Sequence, residues 1–299
     1  MSNVPLAELA KLFLRLGITA FGGPAAHIAM MRHEVVERRH WLTDKEFLDL
    51  LAATNLIPGP NSTEMAIHLG YKHGGKPGLI VAGACFIFPA SLIVAAIAWT
   101  YVRYGDTPQI DWLMYGIGPV VIAIIVQALV KLGRTAISQV SHAFLGTAVL
   151  VLALNGTNEL LLLMIGALIG LAMTTRRWTG MAAILTLLTS VVHSVHLSAQ
   201  AVTADAVPFT LTRLTLFFAK VGSILFGSGY VLLAFLRADL TERWQWLTDQ
   251  QLIDAVTIGQ ITPGPVFTTA TFIGYLLGGW SGAILATIAI FLPGFIFVA

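Results

Sequence analysis

Long apolar runs separated by short polar connections dominate this chain, and several reach roughly 20 residues, enough to span a bilayer core. The pattern predicts helices near Leu6–Met31, Leu79–Tyr101, Ile110–Lys131, Ala136–Leu154, Glu159–Met173, Trp178–His196 and Pro208–Leu236. A further helix starts near Gly282 and is still running at Ala299. Between the first two lies Thr43–Tyr71, split at Pro58-Gly59-Pro60 into two pieces of about 12 residues. At about 1.5 Å per residue, neither piece alone crosses a core about 30 Å thick. Thr248–Tyr275 has the same shape, with its own break at Pro263-Gly264-Pro265. Each is either one broken helix or a re-entrant hairpin.

These matching breaks belong to a longer recurrence. Phe21-Gly22 returns as Phe226-Gly227, Trp41-Leu42-Thr43-Asp44 as Trp246-Leu247-Thr248-Asp249, and Pro58-Gly59-Pro60 as Pro263-Gly264-Pro265. After a one-residue slip, Gly70-Tyr71 answers Gly274-Tyr275, Gly74-Gly75 answers Gly278-Gly279, and Pro89 answers Pro293. Solenoid periods run at about 20–50 residues, so this far longer spacing points to gene duplication, the design of many transporters. The expected fold is an all-α integral membrane protein with two tandem homologous helical repeats containing proline-broken or re-entrant half-helices. Residues 1–207 form the first repeat and 208–299 the second. Ala299 corresponds to Ala95, so the second repeat is expected to be incomplete.

Helix starts at Thr43 and Thr248 are predicted by capping boxes, Thr43 with Glu46 and Thr248 with Gln251. Asp44 and Asp249 place negative charge at the positive end of each helix dipole.

Composition agrees with a membrane setting: 57% of residues are hydrophobic and 11% charged, against roughly a quarter charged in soluble domains. A formal charge of +2 gives no reason to expect a nucleic-acid partner. The single cysteine, Cys85, excludes an intrachain disulfide or a zinc framework. The N-terminal apolar segment carries Lys11 and Arg15 but no convincing cleavage site, and is read as a retained helix. Basic residues cluster at Arg32–Lys45, Lys72/Lys76, Lys131/Arg134, Arg176/Arg177 and Arg237/Arg243. Two topologies fit. Re-entrant hairpins with every basic loop cytoplasmic give six crossings per repeat and parallel halves; broken spanning helices give seven and inverted halves.

The candidate site starts at the breaks. Pro58 ends one short helix, Gly59 allows a tight turn, and Pro60 suits the first position of the next helix. That helix then presents unpaired N–H groups around Asn61, Ser62 and Thr63, or around Val266, Phe267 and Thr268 in the second copy, an arrangement that favours an anion. A kink that merely fits packing is the alternative. Arg15 and its counterpart Lys220 lie about ten and twelve residues into their helices, near the bilayer midplane, where a cation costs at least a few kcal/mol. Anion binding or an internal ion pair would offset that cost. Snorkelling suits Lys11 better, because Leu216 holds its matching position. Asp49 and Asp254, also matched, are candidate counter-charges or proton-coupling groups, with a structural salt bridge as the plainer role. Gly22-Gly23 and Gly227-Ser228-Gly229 either loosen a helix beside a ligand or permit close packing. His27, Asn55, Gln260, Thr268 and Thr269 supply nearby hydrogen-bond donors.

Other signals are weak. His33, His40, His68 and His73 have no metal-ligand spacing, and Arg32, Glu37 and Arg38 match Arg237, Glu242 and Arg243 as a loop ion-pair network. No cofactor or nucleophile motif is present, so nothing points to an enzyme.

The set Phe21-Gly22-Gly23-Pro24, Trp41-Leu42-Thr43-Asp44, Pro58-Gly59-Pro60-Asn61 and Gly70-Tyr71, with its weaker second occurrence, resembles the chromate ion transporter (CHR) family. The likeness covers Leu9–Leu92 and Arg213–Ala299 by motif, and the helices between by hydropathy alone. It implies a multi-pass bacterial inner-membrane protein that expels chromate using an ion gradient, with sulfate as the close analogue. It also implies two halves of opposite orientation and full-length members longer than this chain. On that expectation Arg15 and Lys220 neutralise a tetrahedral dianion, the backbone after Pro60 and Pro265 holds its oxygens, and Asp49 or Asp254 couples protons. The expected partners are a chromate- or sulfate-like oxyanion, the lipid bilayer and a second copy in a homodimer. Uptake of sulfate or another oxyanion, and a non-transporting membrane subunit or sensor, are the alternatives.

Overall fold

A computed structural model describes residues 4–104, 140–154, 207–227 and 229–299, with isolated positions at 107–139 and 162–169. The helices expected over 110–131, 159–173 and 178–196 lie wholly or largely outside the described residues. The chain divides into two compact units, one of residues 1–121 with 206–299 and one of 122–205. In the second unit the described helix is α5 (Val140–Leu154), at the expected place. In the first unit the described residues are almost wholly helical.

The expected helix Leu6–Met31 is two helices. α1 (Leu6–Thr19) ends where Ala20 turns extended, and α2 (Gly23–Arg32) follows after Gly22 and Gly23, both left-handed at φ 98° and 76°. A π-helical turn (His33–Arg38) continues α2. Arg15 pairs with Glu34, and Arg39 lies 2.5 Å from Glu8, so α1 and α2 run antiparallel as a hairpin with its tip at Ala20–Gly22. The helical stripe Leu9, Leu12, Phe13 and Leu16 buries itself against Met31, Val35, Met65 and Phe86, which gives the hairpin its hydrophobic hold.

α3 (Asp44–Thr54) begins at the Thr43 capping box, in which each of Thr43 and Glu46 accepts from the other's backbone N–H. α4 (Asn61–Tyr104) begins after a two-residue extended segment, β1 (Gly59–Pro60). Lys72 lies 3.1 Å from Glu46 near the start of α3, and the Thr54 hydroxyl is 2.9 Å from His68 Nδ1 near its end. The two helices are therefore antiparallel, with the proline break as their turning point. α4 itself bends at Gly75 (φ 58°, ψ −150°), a conformation essentially confined to glycine. Gly70 and Gly78 meet so closely across this bend that a Cβ on either would strike the other's carbonyl.

The second half repeats these local geometries. α6 (Leu211–Ile224) and α7 (Gly229–Leu236) replace the single helix expected over Pro208–Leu236, with β2 (Phe226–Gly227) between them. A π-helical turn (Arg237–Arg243) leads to α8 (Asp249–Ile261), capped by Thr248 and Gln251 in the same reciprocal way. A 3₁₀ turn (Val266–Thr268) then opens α9 (Thr269–Val298), which bends at Gly279 (φ 58°, ψ −148°) with Gly274 against Gly282. Among the described residues, the two non-glycine positions with positive φ, His40 (51°) and Gln245 (55°), hold matching places.

Two helical stretches, Asn61–Tyr104 and Val266–Val298, are long and apolar enough to cross a membrane. Past their glycine bends they run antiparallel: Phe295 covers Gly83, Val298 clusters with Ile67 and Leu79, and the Tyr101 hydroxyl reaches Asp254 on α8.

Candidate functional site

The polar residues of interest gather where the hairpin tips cross. β1 and β2 pair in parallel, Gly59 with Phe226 and Pro60 with Gly227. The Gly59 N–H donates to the Leu225 carbonyl at 2.7 Å, and the Gly264 N–H donates to the Ala20 carbonyl at 2.8 Å. Ala20 matches Leu225 and Gly59 matches Gly264 at the repeat offset, so the two bonds are one contact made twice, each time between opposite halves. Non-helical backbone leaves N–H groups that only another polar group can satisfy away from water. The crossing satisfies them. Pro58, Gly59, Pro60 and Gly227 are thus brought to one place, and Pro263, Gly264 and Pro265 to its counterpart.

The first turns after the breaks differ. In α4, Asn61 donates to Asn55 (2.8 Å), and Ser62 Oγ lies 3.2 Å from Nδ1 of the buried His27, with the Ala20 carbonyl also near that ring. Thr63 is buried and its hydroxyl has no hydrogen-bond partner. Glu64 is 0% exposed, neither carboxylate oxygen has a partner, and it packs against Gly59 and Gly294. In the second half, Thr268 and Thr269 are fully buried, but their hydroxyls donate to the Pro265 and Val266 carbonyls at 2.8 and 2.9 Å.

The expected cations sit five residues before the tips, not at them. Arg15, 46% accessible along its side chain, pairs with the buried Glu34, which also accepts from Arg38 (3.1 Å) and Arg39 (3.3 Å). Lys220 lies 3.7 Å from Asp239, which Arg243 approaches at 3.6 Å. Glu34 and Asp239 are themselves repeat partners. Arg15 and Glu34 line a cavity of about 280 Å³ with Leu16, Ala29, Met30 and His33. The Arg32 and Arg237 networks also match, Arg32 bonding Glu37 and Asp44, and Arg237 approaching Glu242 and Asp249. Asp49 is exposed on α3. Asp254 is buried and accepts from Tyr101 (2.7 Å) and Gln250 (2.9 Å).

With that geometry in view, the comparisons identify the kin. A family model described as "Chromate transporter" matches residues 7–171 and 212–299. The chain belongs to the chromate transporter family. It is accordingly a helical membrane protein. It is 35% identical to a chromate transport protein of Cupriavidus metallidurans over 98% of this chain and 73% of that one. It is 34% identical to a probable chromate transport protein of Synechococcus elongatus (96% and 73%), and 31% to a chromate transport protein of Pseudomonas aeruginosa (97% and 71%). No solved structure matches it.

Sequence reasoning missed Glu34, Asp239, Tyr101 and Glu64. The first two were findable, because an acid stands at both positions 205 apart. Glu64 was findable as well: it is the one acidic residue between Asp49 and Asp106, in a chain read as a membrane protein.

Proposed function

We propose that this chain exports chromate, or an oxyanion of the same tetrahedral form, across a bacterial inner membrane by alternating access between two inverted halves. The observation that carries this reading is the reciprocal crossing, Gly59 on Leu225 and Gly264 on Ala20, in a chain whose relatives are named chromate transport proteins. Helix N-termini start beside both crossings, at Asn61 and at Val266, and supply N–H groups to an anion. Arg15, Arg38 and Arg39 outnumber Glu34 and Glu8, so the first cluster keeps a positive excess that draws an anion inward.

The halves, 1–207 and 208–299, are repeats, and each proline break is the tip of a re-entrant hairpin. Support comes from the antiparallel contacts within the helix pairs of the first half, whose local geometry the second half matches. In the first half Val4 bonds His73, Glu8 meets Arg39 and Glu46 meets Lys72, so the open ends of both hairpins share one side. The tips meet those of the other half, while Tyr101, at the far end of α4, reaches α8. On the spans expected from the sequence, six with re-entrant breaks, a hairpin in place of a spanning Leu6–Met31 leaves five crossings in the first half, an odd number. The second half then enters from the opposite face, and the Arg32–Lys45 and Arg237/Arg243 clusters lie on opposite sides.

Ser62, Thr63 and Thr268 are buried, so this is the closed arrangement. Parting the tips toward either side opens the N-termini to water. Everted vesicles containing the chain should accumulate chromate when a proton gradient is imposed and lose it when the gradient collapses. Inserted protein with no accumulation under any gradient would sink the reading, and stronger inhibition by sulfate than self-competition would move the substrate to sulfate.

A further inference from the structure

Resting on that transport reading, we propose that Glu64 is the proton carrier of the cycle, neutral in the anion-free crossed arrangement described here and ionised in the anion-carrying half of the cycle. Its position is the first ground. It stands in the opening turn of α4 and packs on Gly59, whose N–H makes one of the two reciprocal crossing bonds, so no movement of that tip leaves its surroundings unchanged. Its isolation is the second. It is 0% exposed, both oxygens lack a hydrogen-bond partner, and no described cation pairs with it. An ionised carboxylate cannot persist in such a place without a partner, whereas a carboxylic acid can. The neighbouring elements offer no counter-charge: α9 contains no Asp, Glu, Lys, Arg or His, and the titratable group facing the same turn is His27 on α2, which engages Ser62.

The third ground is the other half. At the repeat offset Glu64 answers Thr269, whose hydroxyl is satisfied by its own chain. A tip of this design therefore builds without a carboxylate, and packing does not explain the acid. A carboxyl in this position does what Thr269 cannot: it takes H⁺ from water on the outer side, returns through the anion-free crossed state as the neutral acid, and gives the H⁺ up to water on the inner side before the anion is carried out. The proton moves between carboxyl and water with no other bond made or broken, and its direction opposes that of the anion.

The test uses purified full chain in proteoliposomes, with chromate accumulation driven by a proton gradient and chromate–chromate exchange without one. Glu64→Gln, which mimics the neutral acid, should keep exchange and lose driven accumulation. Retained driven accumulation overturns the assignment, and so does loss of both by a correctly inserted variant. If wild type shows neither flux, the transport reading fails, and the assignment is judged by infrared spectroscopy. The carbonyl stretch of a protonated carboxylic acid should be present in wild type at neutral pH and missing in Glu64→Gln. Its absence from wild type overturns the proposal. Should Glu64→Gln not insert, Glu64→Thr, copying the other half, gives the same two readouts.

Discussion

Asp254 accepts a 2.7 Å hydrogen bond from Tyr101, a residue 153 positions earlier on the far end of α4. One end of the long helix is thereby tied to the opposite half. Tyr101→Phe leaves the buried carboxylate with Gln250 and should cost about 1–2 kcal/mol. Thermal unfolding in detergent checks this, and an unchanged midpoint would mean the bond carries no stability.

The Arg15 cluster predicts an order of effects. Arg15→Gln leaves Glu34 two other guanidiniums and, being half-accessible, should cost at most about 1 kcal/mol while sharply lowering chromate flux. Glu34→Gln strands three cations around a neutral group and should cost more, about 3 kcal/mol. Flux and detergent stability measured side by side decide it; Arg15→Gln proving the more destabilising would contradict the geometry.

At the second crossing, a methyl on Gly264 meets Ala90 Cβ and the Gly17 carbonyl, at a φ of +83°. Gly264→Ala should cost about 2 kcal/mol or more and abolish transport, whereas Gly23→Ala, with open space around it, should cost only the roughly 1 kcal/mol of backbone strain. Equal losses in both would place the effect in the backbone angle and not in the crossing.

Glu46 gives a pH dependence with a defined sign. The Thr43 backbone N–H, then the Thr43 hydroxyl, then Lys72 hold its carboxyl down from 4.5 to about 2. The folded value lies below the unfolded one, so the stabilisation is full above about pH 4.5 and fades as pH falls toward about 2. Glu46→Gln copies Gln251 of the other half and does not titrate. Unfolding midpoints of the two should therefore converge in acid; parallel curves would remove Glu46 from the acid response.

Periodicity made the helices of the described residues legible, because apolar spacing and capping chemistry act locally. Thr43 and Thr248 cap as their sequences dictate. It failed at Leu6–Met31, where apolar residues continue through a turn: Gly22 and Gly23 carry the reversal, and hydropathy does not register backbone angle. Arg15 was legible as a cation in need of an answer, but its partner lies 19 residues on, across a hairpin that had been read as one helix. Glu64 has no acidic counterpart at the matching position, where Thr269 stands, so the recurrence does not mark it.

The reciprocal crossing also bears on how the chain comes into being. The amide of Gly59 finds its acceptor in Leu225, a residue translated long after it, while Gly264 finds its own in Ala20, which has been waiting since the start of synthesis. Until the second tip arrives, the first holds an unsatisfied N–H in a medium without water to spare for it. The crossing therefore forms only once both tips have been made, and each tip completes the backbone of the other.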